Sequence, residues 1–86
     1  MKGFCRFEKR QEGYDMTIFR PESEEDYLDI MKAIIDSNIW GQSDKWVEFP
    51  YECTLTPKGW AERLHPDMSL DRFPVTKEDA IEILLA

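Results

Sequence analysis

Apolar and polar residues alternate through the first twenty positions of this chain. Gly3, Cys5 and Phe7 take turns with Lys2, Arg6 and Glu8, interrupted by Phe4, and Tyr14, Met16 and Ile18 take turns with Asp15 and Thr17. A period of two puts successive side chains on opposite faces of a strand, so both segments read as β-strands with Cys5 and its neighbours on the apolar side. The polar connection Lys9-Arg10-Gln11-Glu12-Gly13 suits a hairpin loop, since glycine tolerates a positive φ. Pro21 ends the second strand.

The period then changes to that of a helix. Tyr27, Ile30, Met31, Ile34 and Ile35 form one stripe, widened by Leu28, with Asp29, Lys32, Ala33 and Asp36 on the other side. Ser23-Glu24-Glu25-Asp26 approximates a capping box at its start, and Ser37-Asn38 with Gly41 marks its end. Residues 45–56 return to alternation: Val47, Phe49, Tyr51, Cys53 and Leu55 are expected inward, and Trp46, Glu48, Pro50, Glu52 and Thr54 outward. Pro50 has no donor for a ladder, so this strand belongs at a sheet edge or carries a bulge. An exposed edge offers a place for another chain.

Thr56-Pro57 reads as the start of a short helix with Trp60, Ala61 and Leu64 on one side, stopping before Pro66. Residues 67–74 read as irregular, anchored by Met68, Leu70 and Phe73. Thr76-Lys77-Glu78-Asp79 opens a last helix, with Val75 stapled to Ala80 and with Ile81, Leu84 and Leu85 buried. The predicted fold is therefore α+β: a small β-β-α-β core, made of an antiparallel hairpin plus a third strand with one helix packed across the sheet, followed by two short C-terminal helices. Eighty-six residues without a repeat or linker read as one domain spanning 1–86.

Composition narrows the class. Hydrophobic residues make up 42% of the chain, too many for a disordered acidic tail. No apolar run approaches the roughly 20 residues of a membrane span, and the start lacks a secretory apolar segment, so a cytoplasmic protein without membrane contact is expected. Cys5 and Cys53 are then expected as reduced, buried thiols. With His65 they make no zinc pattern, and neither a metal nor another cofactor is expected.

Charge is distributed unevenly. Residues 1–20 carry five bases and three acids, whereas residues 21–86 carry six bases and fifteen acids, and the total is −7. Within 22–56, nine acids (Glu22, Glu24, Glu25, Asp26, Asp29, Asp36, Asp44, Glu48 and Glu52) stand against Lys32 and Lys45. Acids near a helix start complement its dipole, which explains several of them without a partner. Taken together they also fit a surface that attracts a basic protein groove. Trp46, expected outward beside Glu48, adds an interface anchor, as does Trp40 after the helix unless the terminal helices cover both.

Other classes fare worse. A nucleophilic cysteine needs a nearby base and a positive setting, and neither is visible around Cys5, Cys53 or His65, so no enzyme is expected. Lys2, Arg6, Lys9 and Arg10 interleaved with Phe4 and Phe7 would suit single-stranded nucleic acid. The net charge opposes phosphate, so no direct nucleic-acid contact is expected. The expected function is a non-enzymatic protein-binding domain, a regulator or inhibitor presenting an acidic face to a basic, nucleic-acid-handling protein, as a nucleic-acid mimic of a phage or other mobile element does. The alternative is a structural subunit or homo-oligomer, such as a homodimer, that uses the edge strand and the apolar C-terminus.

Overall fold

The computed structural model describes residues 2–37 and 44–86. The hairpin forms where the alternation places it. Strand β1 (Lys2–Lys9) pairs antiparallel with β2 (Tyr14–Arg20), from Phe4 opposite Phe19 to Lys9 opposite Tyr14. Gly13 takes φ 86°, and its carbonyl accepts from Arg10 N at 2.9 Å to close the turn.

Helix α1 (Glu24–Ser37) begins as expected, with Ser23 Oγ accepting from Asp26 N at 3.2 Å, and it buries Tyr27, Ile30 and Ile34. Its apolar stripe is narrower than the sequence implies, since Leu28 and Ile35 remain about half exposed. Asn38 and Gly41, assigned to the helix end, lie outside the described residues, as does Trp40. Strand β3 (Lys45–Glu52) pairs with β1, and the register shifts between Gly3 and Cys5, opposite Phe49 and Pro50. Pro50 thus occupies both an edge strand and an irregular stretch of ladder, where its missing N–H costs least.

The chain departs from expectation after Cys53. Thr56-Pro57 opens no helix. Trp60–Leu64 is strand β4, paired with β2, and Leu70–Pro74, expected to be irregular, is strand β5, paired with β4. Gly59 at φ 77° turns the backbone out of any helical path, while its N–H donates to Arg20 O at 2.8 Å. The outer edge of β2 needs hydrogen-bond partners, and β4 supplies them where a helix would not. The connection between β4 and β5 closes through Met68 N to His65 O at 2.9 Å, with Met68 at φ 71°. The sheet is therefore five-stranded and antiparallel, in the order β3-β1-β2-β4-β5. A single C-terminal helix, α2 (Lys77–Leu85), follows, capped by Thr76 accepting from Asp79 N at 3.1 Å.

Both helices cover one face of this sheet. The core gathers Phe4, Phe19, Val47 and Ala61 from the strands with Tyr27, Ile30, Ile34, Ala80 and Leu84 from the helices. Phe4 is its centre: fully buried, its ring lies 5.0 Å from Tyr27 and 5.6 Å from Phe49. Alternation from the Phe4–Phe19 pair puts Cys5 and Phe7, and with them Tyr14, Met16 and Ile18, on the opposite face. The hairpin sets recognised as apolar in the sequence thus do share a face, but not the one under the helices. On β3 the register shift divides the expected inward set. Val47 and Phe49 turn to the helices, Tyr51 pairs with Gly3, and Leu55 lies beyond the strand at 86% exposure.

Candidate functional site

The two helices lie side by side, joined by Lys77 Nζ to Asp29 Oδ2 at 3.1 Å. Glu24, Glu25, Asp26, Asp29 and Asp36 of α1 and Glu78, Asp79 and Glu82 of α2 stand against Lys32 and Lys77. Eight acids and two bases give this layer a charge of −6. All but Asp26 and Lys77 are solvent-exposed. Five of the expected partner-binding residues therefore belong to one surface. The three acids of α2 were missed, since only the packing of α2 beside α1 brings them there.

The other expected residues do not join it. Glu22, just before α1, lines a cleft of about 370 Å³ together with Lys2, Arg20, Glu24 and Lys58, so bases offset its charge locally. Asp44 is exposed and its carbonyl accepts from Lys9 N at 2.8 Å, at the start of β3. Glu52 sits opposite Lys2 at the far end of that strand. Trp46 and Glu48 pair with Phe7 and Cys5, which puts them on the sheet face away from the helices. The continuous acidic stretch of the sequence is divided by the sheet itself.

That second face carries one apolar row, and beyond it Cys53 and Thr56 of the segment after β3 cover Gly3 and Glu62. Reading across the registers, Trp46, Phe7, Met16, Leu64 and Leu70 form one row that touches all five strands in order. Four of them are half-buried and Leu70 is exposed. The Trp46 ring stacks on Phe7 with centroids 4.8 Å apart, and Tyr14, 46% exposed, meets it edge-on at 5.3 Å. The neighbouring row runs Glu48, Cys5, Ile18, Glu62, Arg72. Glu62 is buried there, receiving Thr56 Oγ1 at 2.5 Å and Arg72 Nε at 2.6 Å. Those two hydrogen-bond donors hold its carboxyl below the usual glutamate range against the opposing effect of burial.

The groups with familiar catalytic chemistry are kept apart. Burial, with help from Glu48, pushes the Cys5 thiol up to about 12, and burial raises Cys53 as well, so both are protonated at neutral pH. His65 lies on the helix-bearing side, at the end of β4, with Nδ1 3.2 Å from Asp15 and Nε2 2.8 Å from Asp71. Asp15 in turn accepts from Arg10 Nη2 at 2.6 Å. This chain of charges ties the hairpin turn to β4 and β5. Among the described residues no group of His, Cys, Asp and Glu is arranged to hold a metal ion, and no helix is long and apolar enough to cross a membrane.

The basic N-terminal cluster is likewise dispersed. Arg6 is buried beneath the end of α2, where it donates to the carbonyls of Ile83 and Ala86, the latter at 2.8 Å. Phe4 is in the core, Arg10 is paired with Asp15, and only Phe7 and Lys9 share the free sheet face. Leu84, expected to offer an apolar terminus to a partner, is 2% exposed within the chain's own core. Comparisons with protein-family models, curated proteins and solved structures find no match.

Proposed function

We propose that this domain acts without catalysis, by binding a protein through its acidic helix layer. Helix dipoles account for Glu24, Glu25 and Asp26 in the first turn of α1 and for Glu78 and Asp79 in that of α2. The same dipoles favour bases in the last turns, and neither helix has one there. Asp36 and Glu82 are instead acids near the C-terminal ends, where each opposes the local field by about 0.3 to 1 kcal/mol. A charge kept against its own helix is the observation that carries this reading. It suits a layer selected for its field and not for helix stability alone.

The partner is a basic surface of the kind that handles nucleic acid, for which a layer of −6 is an electrostatic competitor. The domain acts on it as a regulator or inhibitor. The test is affinity capture from an extract of the source organism at low and high salt, using the native chain and a Glu25→Lys, Asp36→Lys, Glu82→Lys variant. Retention of a basic protein by the native chain at low salt only, lost in the variant, is expected. Equal retention by both chains rejects the acidic layer as the binding surface.

A further inference from the structure

In an antiparallel ladder every second residue exchanges hydrogen bonds with the neighbouring strand, and the residues between turn their N–H and C=O groups the other way. In the β4–β5 ladder both ends fix which residues are which. His65 N donates to Ser69 O at 3.0 Å and Val75 N to Gly59 O at 2.9 Å, so Ser69, Asp71, Phe73 and Val75 turn their backbone groups to β4. Leu70, Arg72 and Pro74 turn theirs outward. Because β5 is an edge strand, the N–H groups of Leu70 and Arg72 and the carbonyls of all three residues meet no further strand of the sheet. Pro74 lacks a donor and limits this edge at its end.

The helix side of the same edge is hollow. A groove of about 390 Å³ between β5 and α2 is lined by the apolar Phe73, Val75 and Ile83 and by the acidic Asp79 and Glu82. Asp71 stands on that side of β5 as well, and although it lies 2.8 Å from His65 Nε2 its side chain stays 63% exposed. Arg63, a base nearby, is engaged from β4: it donates to Thr17 Oγ1 at 3.1 Å, and its guanidinium lies 5.4 Å from the centroid of the Phe73 ring. The opposite edge differs. The hollow beside β3, where Arg6 and Lys45 meet Leu84, is only about 10 Å³ and carries bases.

Building on the acidic layer as the binding surface, we propose that the β5 edge and this groove take up an extended segment of a basic protein, added antiparallel to β5 as a sixth strand, with lysine or arginine at alternate positions on the helix side. Residues of that segment opposite Leu70, Arg72 and Pro74 form the backbone hydrogen bonds, and those opposite Asp71 and Phe73 present their side chains to the helix side. A base opposite Asp71 meets its carboxylate across the strands. A base opposite Phe73 lays its apolar stem in the groove and brings its charge to Asp79 and Glu82. Backbone pairing gives affinity for an extended chain, and the acids select a basic one. A second copy would bring Asp71, Asp79 and Glu82 against the same acids, so the occupant is another protein.

The test is an amide NMR titration of the isotope-labelled chain, at low salt, with a capped peptide of about nine residues that alternates threonine and lysine. The Leu70 and Arg72 amides should shift and gain exchange protection. A peptide of the same composition with its lysines grouped should bind about tenfold more weakly. N-methylation of the threonine amides, which removes the donors that face β5, should weaken binding about fivefold or more, while N-methylation of the lysine amides, which face away, should leave it within about twofold. Leu70→Pro removes an outward donor without breaking the β4 ladder and should also weaken the peptide about fivefold. Equal effects of the two methylations, or equal binding of the grouped peptide, overturn the strand addition. In capture from the extract, a basic protein retained alike by the native chain and by folded Leu70→Pro, but lost by the Glu25→Lys, Asp36→Lys, Glu82→Lys chain, removes the edge and keeps the acidic layer. Equal retention by all three chains removes both.

Discussion

Arg6 is the residue whose loss should most directly separate the helix layer from the sheet. Arg6 is 7% exposed, and its guanidinium reaches across from β1 to the Ile83 and Ala86 carbonyls, at the end of α2 that has no basic residue of its own. Those carbonyls lack intrahelical donors, so Arg6 acts as a C-cap supplied by the sheet. Two hydrogen bonds from a charged donor are worth about 1.5 kcal/mol each at the lower end of their range. Replacing the arginine with leucine also removes the cost of burying a charge, which offsets about 1 kcal/mol of that loss. Arg6→Leu should therefore destabilise the fold by about 2 kcal/mol, against a total of about 5 to 15. In urea, with a slope near 1 kcal/mol/M, the midpoint should fall by roughly 2 M. Arg6→Lys keeps the charge but not the fork, and should cost about half as much. Amide exchange adds the location: protection should fall first in α2, ahead of β1 and β2. An Arg6→Leu chain with an unchanged midpoint and fully protected α2 amides would falsify the account.

Gly3→Ala should cost about 1 to 3 kcal/mol in chemical denaturation, because a Cβ there meets Cys53 Sγ and the Phe19 carbonyl oxygen. Adding Cys53→Ala should relieve only the first conflict, and an unchanged midpoint for Gly3→Ala would refute the close approach. Thr76→Ala removes the cap on Asp79 N and should lower the melting temperature by about 4 to 8 °C for a loss near 1 kcal/mol, with Thr76→Ser largely restoring it. His65 is raised above its ordinary 6.5, chiefly by the Asp71 hydrogen bond and then by Asp15. Its contribution is complete below pH 6.5 and fades as pH rises through the folded value, so stability should decline on that alkaline side in the native chain and not in His65→Gln. A native chain with the same midpoint at pH 6 and pH 9 would show that the His65 network adds nothing to the fold.

What the sequence disclosed follows the length of each pattern. β1, β2, α1 and α2 each carry a clear period or a cap, and each was located within a few residues. β4 and β5 are five residues apiece, and in Trp60-Ala61-Glu62-Arg63-Leu64 the spacing of Trp60, Ala61 and Leu64 satisfies a helix as well as a strand. Only the positive φ of Gly59 and the open edge of β2 decide between them. Periodicity also assigns residues to faces without saying which face the helices take. Phe4, read as an interruption, pairs with Phe19 in the core, and the regular sets containing Phe7 and Met16 mark the face without helices. For the acidic site, adjacency in sequence misled in both directions. Glu48 belongs to the same acidic stretch of sequence as Asp36 yet lies across the sheet from it, whereas Glu82, far along the chain, lies on the neighbouring helix of the same layer.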